Sequence, residues 1–461
     1  MIPFYLSELA RKAQGTLSGE DIEVASVTTD SRNCPPGSLF IALKGEKFDA
    51  HDFLEKAVLS GAAALGVSLG GNFSVPCVKC ADTLRLLGLA GLLVREKCPA
   101  KIGAVTGSCG KTTVKEMAYS ILKQGFNAMC TNGNFNNDVG VPLTLLRLDE
   151  KLDYAIIEQG ASHKEDIKRT SEFVQADAAV ITNVGKAHIE GFGSAYGVYK
   201  GKSEILDSVL ARGGIGIVPS CSQWIDEWKK DYKEAFLQGK MLTFGYNDDD
   251  FVKVSEVKSS SQEVSFILTA KGQSEQIKLN LLGKHNAQNA AAAAALCLAL
   301  GCDFKYIKPG LENTSSVKGR LQVKNFAGFT LIDDAYNASF NAVLSGIDTL
   351  SSFAGFKVMV FGDMGELGDE AVSLHEKVGL YAKNKINLLL CLGPLSRHSV
   401  EKAGSIARHF DSHDALAAFL KDEVLKRHDN AVILVKGSHA MRMDLITDKL
   451  IALSESKDNI K

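Results

Sequence analysis

The sequence predicts an α/β protein of three domains, and three observations carry that prediction. At 461 residues the chain exceeds what one hydrophobic core ordinarily organises. Residues 102–122 read as a buried strand, a glycine-bearing turn and a helix, the unit from which parallel sheets are built. Beyond residue 314 short apolar strands and helices alternate to the C-terminus, which predicts a doubly wound, mostly parallel sheet. Domains are expected at 1–82, 83–313 and 314–461, the first being a small α/β unit.

Composition narrows the partners. A net charge of −2 with 23% charged residues argues against a general binder of nucleic acid or acidic membrane surface, and small molecules are the expected partners. Ten cysteines are scattered, and only Cys77 and Cys80 form a C-x-x-C. With no second pair close by, no zinc site is expected, and a reduced cytosolic chain is. Residues 1–15 alternate charge with apolar residues in a helical pattern and lack the apolar core of a signal peptide. The longest apolar run, 290–300, is too short to cross a bilayer.

In the first domain a short helix, a strand at 39–43 and a helix at 51–60 are expected. Its polar stretches, T-T-D-S-R at 28–32 and residues 43–52, read on their own as solvated turns. In the second, residues 103–113 read as a nucleotide-phosphate loop: strand over 102–105, tight turn over 106–110, helix over 112–122. Thr106, Gly107, Ser108, Cys109, Gly110, Lys111, Thr112 and Thr113 form the candidate cradle. Gly107 and Gly110 lack a Cβ, so the backbone can curl with its N–H groups inward, and the helix N-terminus adds partial positive charge. Lys111 brings a full charge to β- and γ-phosphates, and the Thr112 hydroxyl is placed for Mg²⁺. The pattern is the short T-G-x-x-G-K-T-T, with Val105 where G-x-x-x-x-G-K-[ST] has glycine. The competing reading is a glycine turn with a solvated lysine.

Residues 131–138 are dense in amides, among them Asn134, Asn136 and Asn137, which suit a sugar or phosphate-rich ligand but are also ordinary turn formers. A strand over 153–158 ends in Glu158, and ligands of parallel sheets sit beyond strand C-termini, so Glu158 is placed to reach a metal at Thr112. A second strand over 178–183 ends close to His188. Lys200 and Lys202 fall at an expected helix start; bare ammonium groups would repel a metal, and solvated side chains are the plain reading. Short strands with a glycine turn are expected over 262–282, and Asn286 near the start of the following alanine-rich helix reads as a cap. In the third domain strands are expected at 330–333, 357–362, 387–393 and 431–436, with D-D-A-Y-N (333–337) and K-G-S (436–438) at strand ends.

Taken in order, T-G-S-C-G-K-T-T, T-N-G-N-F-N-N-D-V-G-V-P, Glu158, A-H-I-E-G-F-G-S, K-S-E-I-L, G-K-H-N-A-Q-N-A, G-R at 319–320, D-D-A-Y-N and V-K-G-S resemble the Mur ligases along essentially the whole chain. Within that family, T-T-D-S-R together with A-L-K-G-E-K-F-D-A-H-D-F is similar to the member that adds D-alanyl-D-alanine (D-Ala-D-Ala) to UDP-N-acetylmuramoyl-tripeptide. The resemblance implies a cytoplasmic bacterial enzyme, monomeric by family default. It would join a carboxylate to an amine through an acyl phosphate, with a UDP-binding first domain, a P-loop second domain and a Rossmann-like third.

The same resemblance assigns roles. Lys111 and the loop amides would hold ATP phosphates, Thr112 and Glu158 a first Mg²⁺, and His188 a second; Lys202 matches a lysine that is carbamylated in the family and thereby becomes a metal ligand. Asn286 and Asn289 would meet adenine, and Arg320, Asp334, Tyr336 and Asn337 the ribose or phosphates. Ser31, Lys44 and Asp49 would hold the uridine diphosphate end, and Asn134, Asn136 and Asn137 would face the sugar and peptide. Lys436 and Ser438 would receive the dipeptide carboxylate, with Arg442 near by as an anion partner. Closure about a hinge near 313–320 is implied. Departures are His439, where the family often has Arg, and Ser339, where Y-N-A-N is usual. Alternatives are the ligase adding the third peptide residue, whose D-N-P-R motif is absent here, folylpolyglutamate synthase, and a non-catalytic nucleotide-binding regulator.

Overall fold

Three sheets organise the protein, whose structure is a computed structural model describing residues 1–185 and 188–458. The N-terminal sheet has five strands in the order Thr16–Ser18, Cys77–Lys79, Ala62–Val67, Ser38–Ile41, Val27–Thr28, all parallel except the first pair. Cys77 and Cys80 are buried free thiols here. The helix expected from residue 1 begins only at Leu6, because Phe4–Tyr5 pairs with Glu23–Val24 as a two-strand ribbon. Pro3 disfavours helical backbone at Ile2 alone, and the strand pairing is what holds Phe4 and Tyr5 extended. The expected helix at 51–60 divides into a 3₁₀ turn, Ala50–Phe53, and the helix Leu54–Leu59. Asp49 caps that turn, accepting from the His51 N–H at 3.0 Å.

The central sheet has nine strands: Gln273–Leu279, Val264–Ala270, Val252–Ser259, Met241–Gly245, Ile215–Pro219, Ala178–Ile181, Lys101–Thr106, Tyr154–Glu158 and Ala128–Cys130. All pairs are parallel except the two formed by Val264–Ala270, the middle strand of an antiparallel extension. Ala178–Ile181 and Tyr154–Glu158 are buried throughout, as expected of strands covered by helices on both faces. The strand Lys101–Thr106 lies between them, so its C-terminal turn faces the ends of both. On one face the helix His285–Ala299 packs against the helix Lys111–Leu122, and Ala290 through Ala295 are wholly buried, small enough to let the two backbones approach. Among the described residues no helix is long and apolar enough to cross a membrane.

The C-terminal sheet runs Gln322–Phe326, Phe329–Asp333, Ala431–Lys436, Phe356–Gly362, Leu388–Leu392, Ala407–Phe410, parallel apart from the hairpin at its first edge. The first and last of these strands carry no continuous apolar run, which is why only the four inner ones stand out in the sequence.

One buried cation fixes the start of the phosphate-loop strand. Arg95, on the helix Thr83–Lys97, donates to the carbonyls of Val174 (3.2 Å) and Gln175 (3.0 Å) and to Asp177 Oδ2 (3.2 Å). That same oxygen accepts from the Ile102 N–H at 2.7 Å. The planar fork carries five donors spread over three nitrogens and so reaches acceptors that a single ammonium nitrogen cannot span. Arg95→Ala is expected to cost about 2–3 kcal/mol of stability in urea denaturation, and Arg95→Lys to recover less than half of it.

Candidate active site

The loop after Lys101–Thr106 depends on its two glycines. Gly107 has φ +148°, and a Cβ there would stand 2.0 Å from Thr182 Oγ1; Gly110 has φ +79°, and a Cβ there would stand 2.6 Å from Asn289 Oδ1. Val105, in place of the usual first glycine, is a wholly buried strand residue, so the turn begins later and is shorter. The curl is held from the neighbouring strand's end. The Ser108 N–H donates to the Asn183 carbonyl at 3.0 Å and the Cys109 N–H to Asn183 Oδ1 at 2.9 Å. Thr182 Oγ1 and Asn183 Nδ2 in turn donate to the Cys109 carbonyl at 2.5 and 2.9 Å. Neither residue stood out in the sequence; the signal available was their place at the C-terminal end of a parallel strand.

Thr106 faces away from the cavity, its hydroxyl donating to the Gln159 carbonyl at 2.8 Å, so its side chain braces the turn rather than meeting a ligand. Lys111 Nζ donates to the Gly107 carbonyl at 2.8 Å, and burial holds its pKa below that of a free lysine, with Glu158 opposing the shift. Glu158 is 1% exposed. Its Oε1 accepts from Thr112 Oγ1 (3.2 Å) and Asn136 Nδ2 (2.9 Å), whereas its buried Oε2 has no hydrogen-bond partner among the described residues. A buried carboxylate oxygen without a donor is costly, and a cation is what satisfies it. No group of three or more His, Cys, Asp or Glu side chains suited to a metal occurs among the described residues. One carboxylate beside one hydroxyl suits Mg²⁺, which keeps waters and takes substrate phosphate oxygens.

His188 and Lys202 border the same region. His188 has φ +55°, and its Nδ1 lies 3.5 Å from Ser162 Oγ and meets Glu366 of the C-terminal sheet's loops. Burial pushes the imidazole's pKa down despite that carboxylate. Lys202 corrects the sequence reading. It lies inside the helix Ala195–Ala211 rather than at its start, is wholly buried, and donates to the Ala161 carbonyl at 3.0 Å. Burial, then the charge of Lys111, brings its pKa down to about 7. Lys200 does fit the plain reading: half-exposed and paired with Asp231 at 2.7 Å.

The loop, His188 and the facing edge of the C-terminal sheet line a cavity of about 940 Å³, with walls that include residues 108–111, 136–138, 182–185, 319–321, 334, 336–339 and 436; Lys202 lies behind them. Asn286 and Asn289 line it from one helix, the Asn289 amide donating to Asn286 Oδ1 at 2.8 Å and the Asn286 amide to the Leu282 carbonyl at 2.7 Å. From the C-terminal side Arg320 stacks over the Tyr336 ring at 4.4 Å, and Asp334 is buried against Lys436 at 2.7 Å. Lys436 Nζ also donates to the Asn337 carbonyl at 2.9 Å, so its charge is spent inside the fold and it is no free anchor for an incoming carboxylate. Ser438 lines the cavity, but Arg442 does not: its guanidinium pairs with Asp444 at 2.9 Å on the surface.

Asn136 and Asn137 line the cavity, while Asn134 is exposed and outside its walls. Ser31, Lys44 and Asp49 belong to the N-terminal sheet's loops and do not border it. Lys44 Nζ lies 3.6 Å from Asp49, whose other oxygen meets His51 Nδ1 at 2.6 Å.

Known proteins match along the chain. The profile described as Mur ligase middle domain covers residues 105–297, that of the Mur ligase glutamate ligase domain residues 319–439, and that of the Mur ligase family catalytic domain residues 23–78. The UDP-N-acetylmuramoyl-tripeptide--D-alanyl-D-alanine ligase of Haemophilus influenzae is 39% identical, with 100% of both chains covered. A crystal structure of MurF from Acinetobacter baumannii superposes with a TM-score of 0.92 at 33% identity, covering 98% of this chain and 99% of that one. The MurF ligase from Thermotoga maritima in complex with ADP gives a TM-score of 0.82 at 25% identity, covering 94% and 98%.

The Lys202 environment has a pH signature. In the unfolded chain this amine titrates near 10.5 and in the fold near 7, so between those values the unfolded state binds more protons and folding gains stability as pH rises. Lys202→Met is therefore expected to stabilise the substrate-free protein most below pH 7, with the advantage shrinking toward pH 10, as read by urea denaturation in CO₂-free buffer.

Proposed function

The chain belongs to the Mur ligase family, and on that footing we propose that it is an ATP-dependent ligase that joins D-Ala-D-Ala to UDP-N-acetylmuramoyl-tripeptide. The reaction belongs to peptidoglycan precursor synthesis in the bacterial cytoplasm. End-to-end likeness to a relative named for that reaction supports it. The structural observation that carries it is the unpaired Oε2 of Glu158, buried beside Thr112 in the cavity that Lys111 lines.

A carboxylate is a poor electrophile and is repelled by the γ-phosphate that must activate it, so the two anions have to be neutralised and aligned before they react. Lys111 and the loop N–H groups supply fixed positive charge for the triphosphate. Thr112 and Glu158 are the residues to hold a first Mg²⁺, and His188 with Lys202 a second; such ions neutralise the phosphate oxygens. Lys202 is suited to this after carbamylation. A pKa near 7 leaves much of the amine uncharged at neutral pH, free to add CO₂ with release of one proton, which replaces a cation by a carboxylate-like ligand.

The carboxyl of the tripeptide attacks the γ-phosphorus and ADP leaves. The dipeptide amine then attacks the acyl carbon, and phosphate leaves as the amide forms. Asn286 and Asn289 are assigned to adenine, and Arg320, Asp334, Tyr336 and Asn337 to the ribose and phosphates. Ser31, Lys44 and Asp49 are assigned to the uridine diphosphate end, Asn134, Asn136 and Asn137 to the sugar and peptide, and Ser438 to the dipeptide. Lys436 acts by holding Asp334 and the Asn337 backbone in place. The contact between Cys109 Sγ and Ser339 Oγ (2.8 Å) supports a cleft that closes by a hinge near 313–320 and excludes water from the acyl phosphate.

Phosphate release is expected only when ATP, Mg²⁺, UDP-N-acetylmuramoyl-tripeptide and D-Ala-D-Ala are all present, with D-Ala alone a poor substitute; equal release without the dipeptide would defeat the assignment. Lys202→Ala is expected to lose about a hundredfold or more in kcat. Short carboxylic acids should restore part of it, and failure of that rescue would remove the metal-ligand role.

A further inference from the structure

Five carboxylates line the cavity: Asp138, Glu158, Asp166, Asp334 and Glu366. Four are committed. Asp138 and Asp166 share Arg169 at 2.9 and 2.6 Å, Asp334 holds Lys436 at 2.7 Å, and Glu158 lies between Thr112 and Asn136 beside the phosphate loop. Glu366 meets no lysine or arginine among the described residues; its side-chain contact there is the His188 ring.

Its placement is specific. Glu366 follows the strand Phe356–Gly362 at the C-terminal edge of its sheet and has φ +59°, a backbone conformation that costs free energy for a residue with a Cβ. The next residue, Leu367, is buried and anchors the loop, and Gly365 lies against Ser438. The loop thus spends backbone strain to extend a carboxylate, 56% exposed, between Ser438 and the His188 edge of the cleft.

We propose that Glu366 holds the ammonium group of the incoming dipeptide, an assignment that rests on the ligase reading above. D-Ala-D-Ala enters as a zwitterion. Its ammonium enters a cavity lined by Lys111, Arg169, Arg320 and Lys436 and needs one negative partner. Glu366 supplies it. Beside His188 the amine is delivered next to the region where the tripeptide carboxyl is activated, and beside Ser438 it leaves the rest of the dipeptide along the turn after Lys436. The same carboxylate gives specificity for a free amine, because a blocked N-terminus would leave it unpaired in the closed cleft.

The test uses the full-length protein and its Glu366→Gln variant, which keeps size and removes charge. Hydroxylamine, uncharged at pH 8, captures the acyl phosphate as a hydroxamate without needing an ammonium site, so it reads activation apart from dipeptide binding. Expected for Glu366→Gln are a KM for D-Ala-D-Ala raised about tenfold or more, with hydroxamate formation and the KM values for ATP and UDP-N-acetylmuramoyl-tripeptide held within about twofold. N-acetyl-D-Ala-D-Ala, tested as an inhibitor, should bind wild type at least about tenfold more weakly than the free dipeptide, and the variant should lose most of that preference. An unchanged dipeptide KM, or a wild type indifferent to acetylation, would overturn the proposal. So would a fall in hydroxamate formation parallel to the fall in ligation, which would make Glu366 a support for His188. A wild type that forms no hydroxamate would instead sink the ligase reading, and this assignment with it.

Discussion

Two anions must meet in this cleft, and their mutual repulsion is the constraint around which the rest is arranged. Several elements answer it: a helix N-terminus, one lysine on the phosphate loop, a carboxylate oxygen left open for a cation, and, behind them, a buried amine whose pKa burial brings down to about 7. The arrangement works because the medium is not water. At short range in a poorly hydrated site the same charges interact several times more strongly than at a surface, so placement to within an ångström decides between attraction and repulsion.

Parallel topology supplies that placement. The strands Lys101–Thr106, Tyr154–Glu158 and Ala178–Ile181 are neighbours, and all end on one edge of their sheet, so the phosphate loop, Glu158 and the Thr182–Asn183 pair converge although 77 positions separate the first residue from the last. The C-terminal sheet presents its own strand ends to the opposite wall of the cavity through Asp334, Glu366 and Lys436. Two sheets of like construction therefore face each other edge to edge, and reacting groups drawn from both can meet only in the space between them.

What could be read in advance follows from how far each signal reaches along the chain. The phosphate loop was legible because strand, glycines and helix are contiguous, and the inner strands of both large sheets were legible because burial on two faces leaves unbroken apolar runs. Three things were not. Burial of Lys202 depends on the Ala161 and Phe192 segments closing over a long helix, and local sequence shows only a charged residue in that helix. Lys436 looked free because its partner Asp334 lies 102 residues away. The helical periodicity of residues 1–15 was real from Leu6 onward, but pairing of Phe4–Tyr5 with a distant strand prevailed over it at the start.

The ties from Thr182 and Asn183 to the main chain of Ser108 and Cys109 have a consequence for how a nucleotide is received. A flexible receptor must be frozen by its guest, and the guest's affinity falls by the entropy of freezing. Here the mould is set by protein atoms from an adjoining strand, so an arriving triphosphate meets a shape already cast. On the closure proposed above, its binding free energy remains available for drawing the two lobes together.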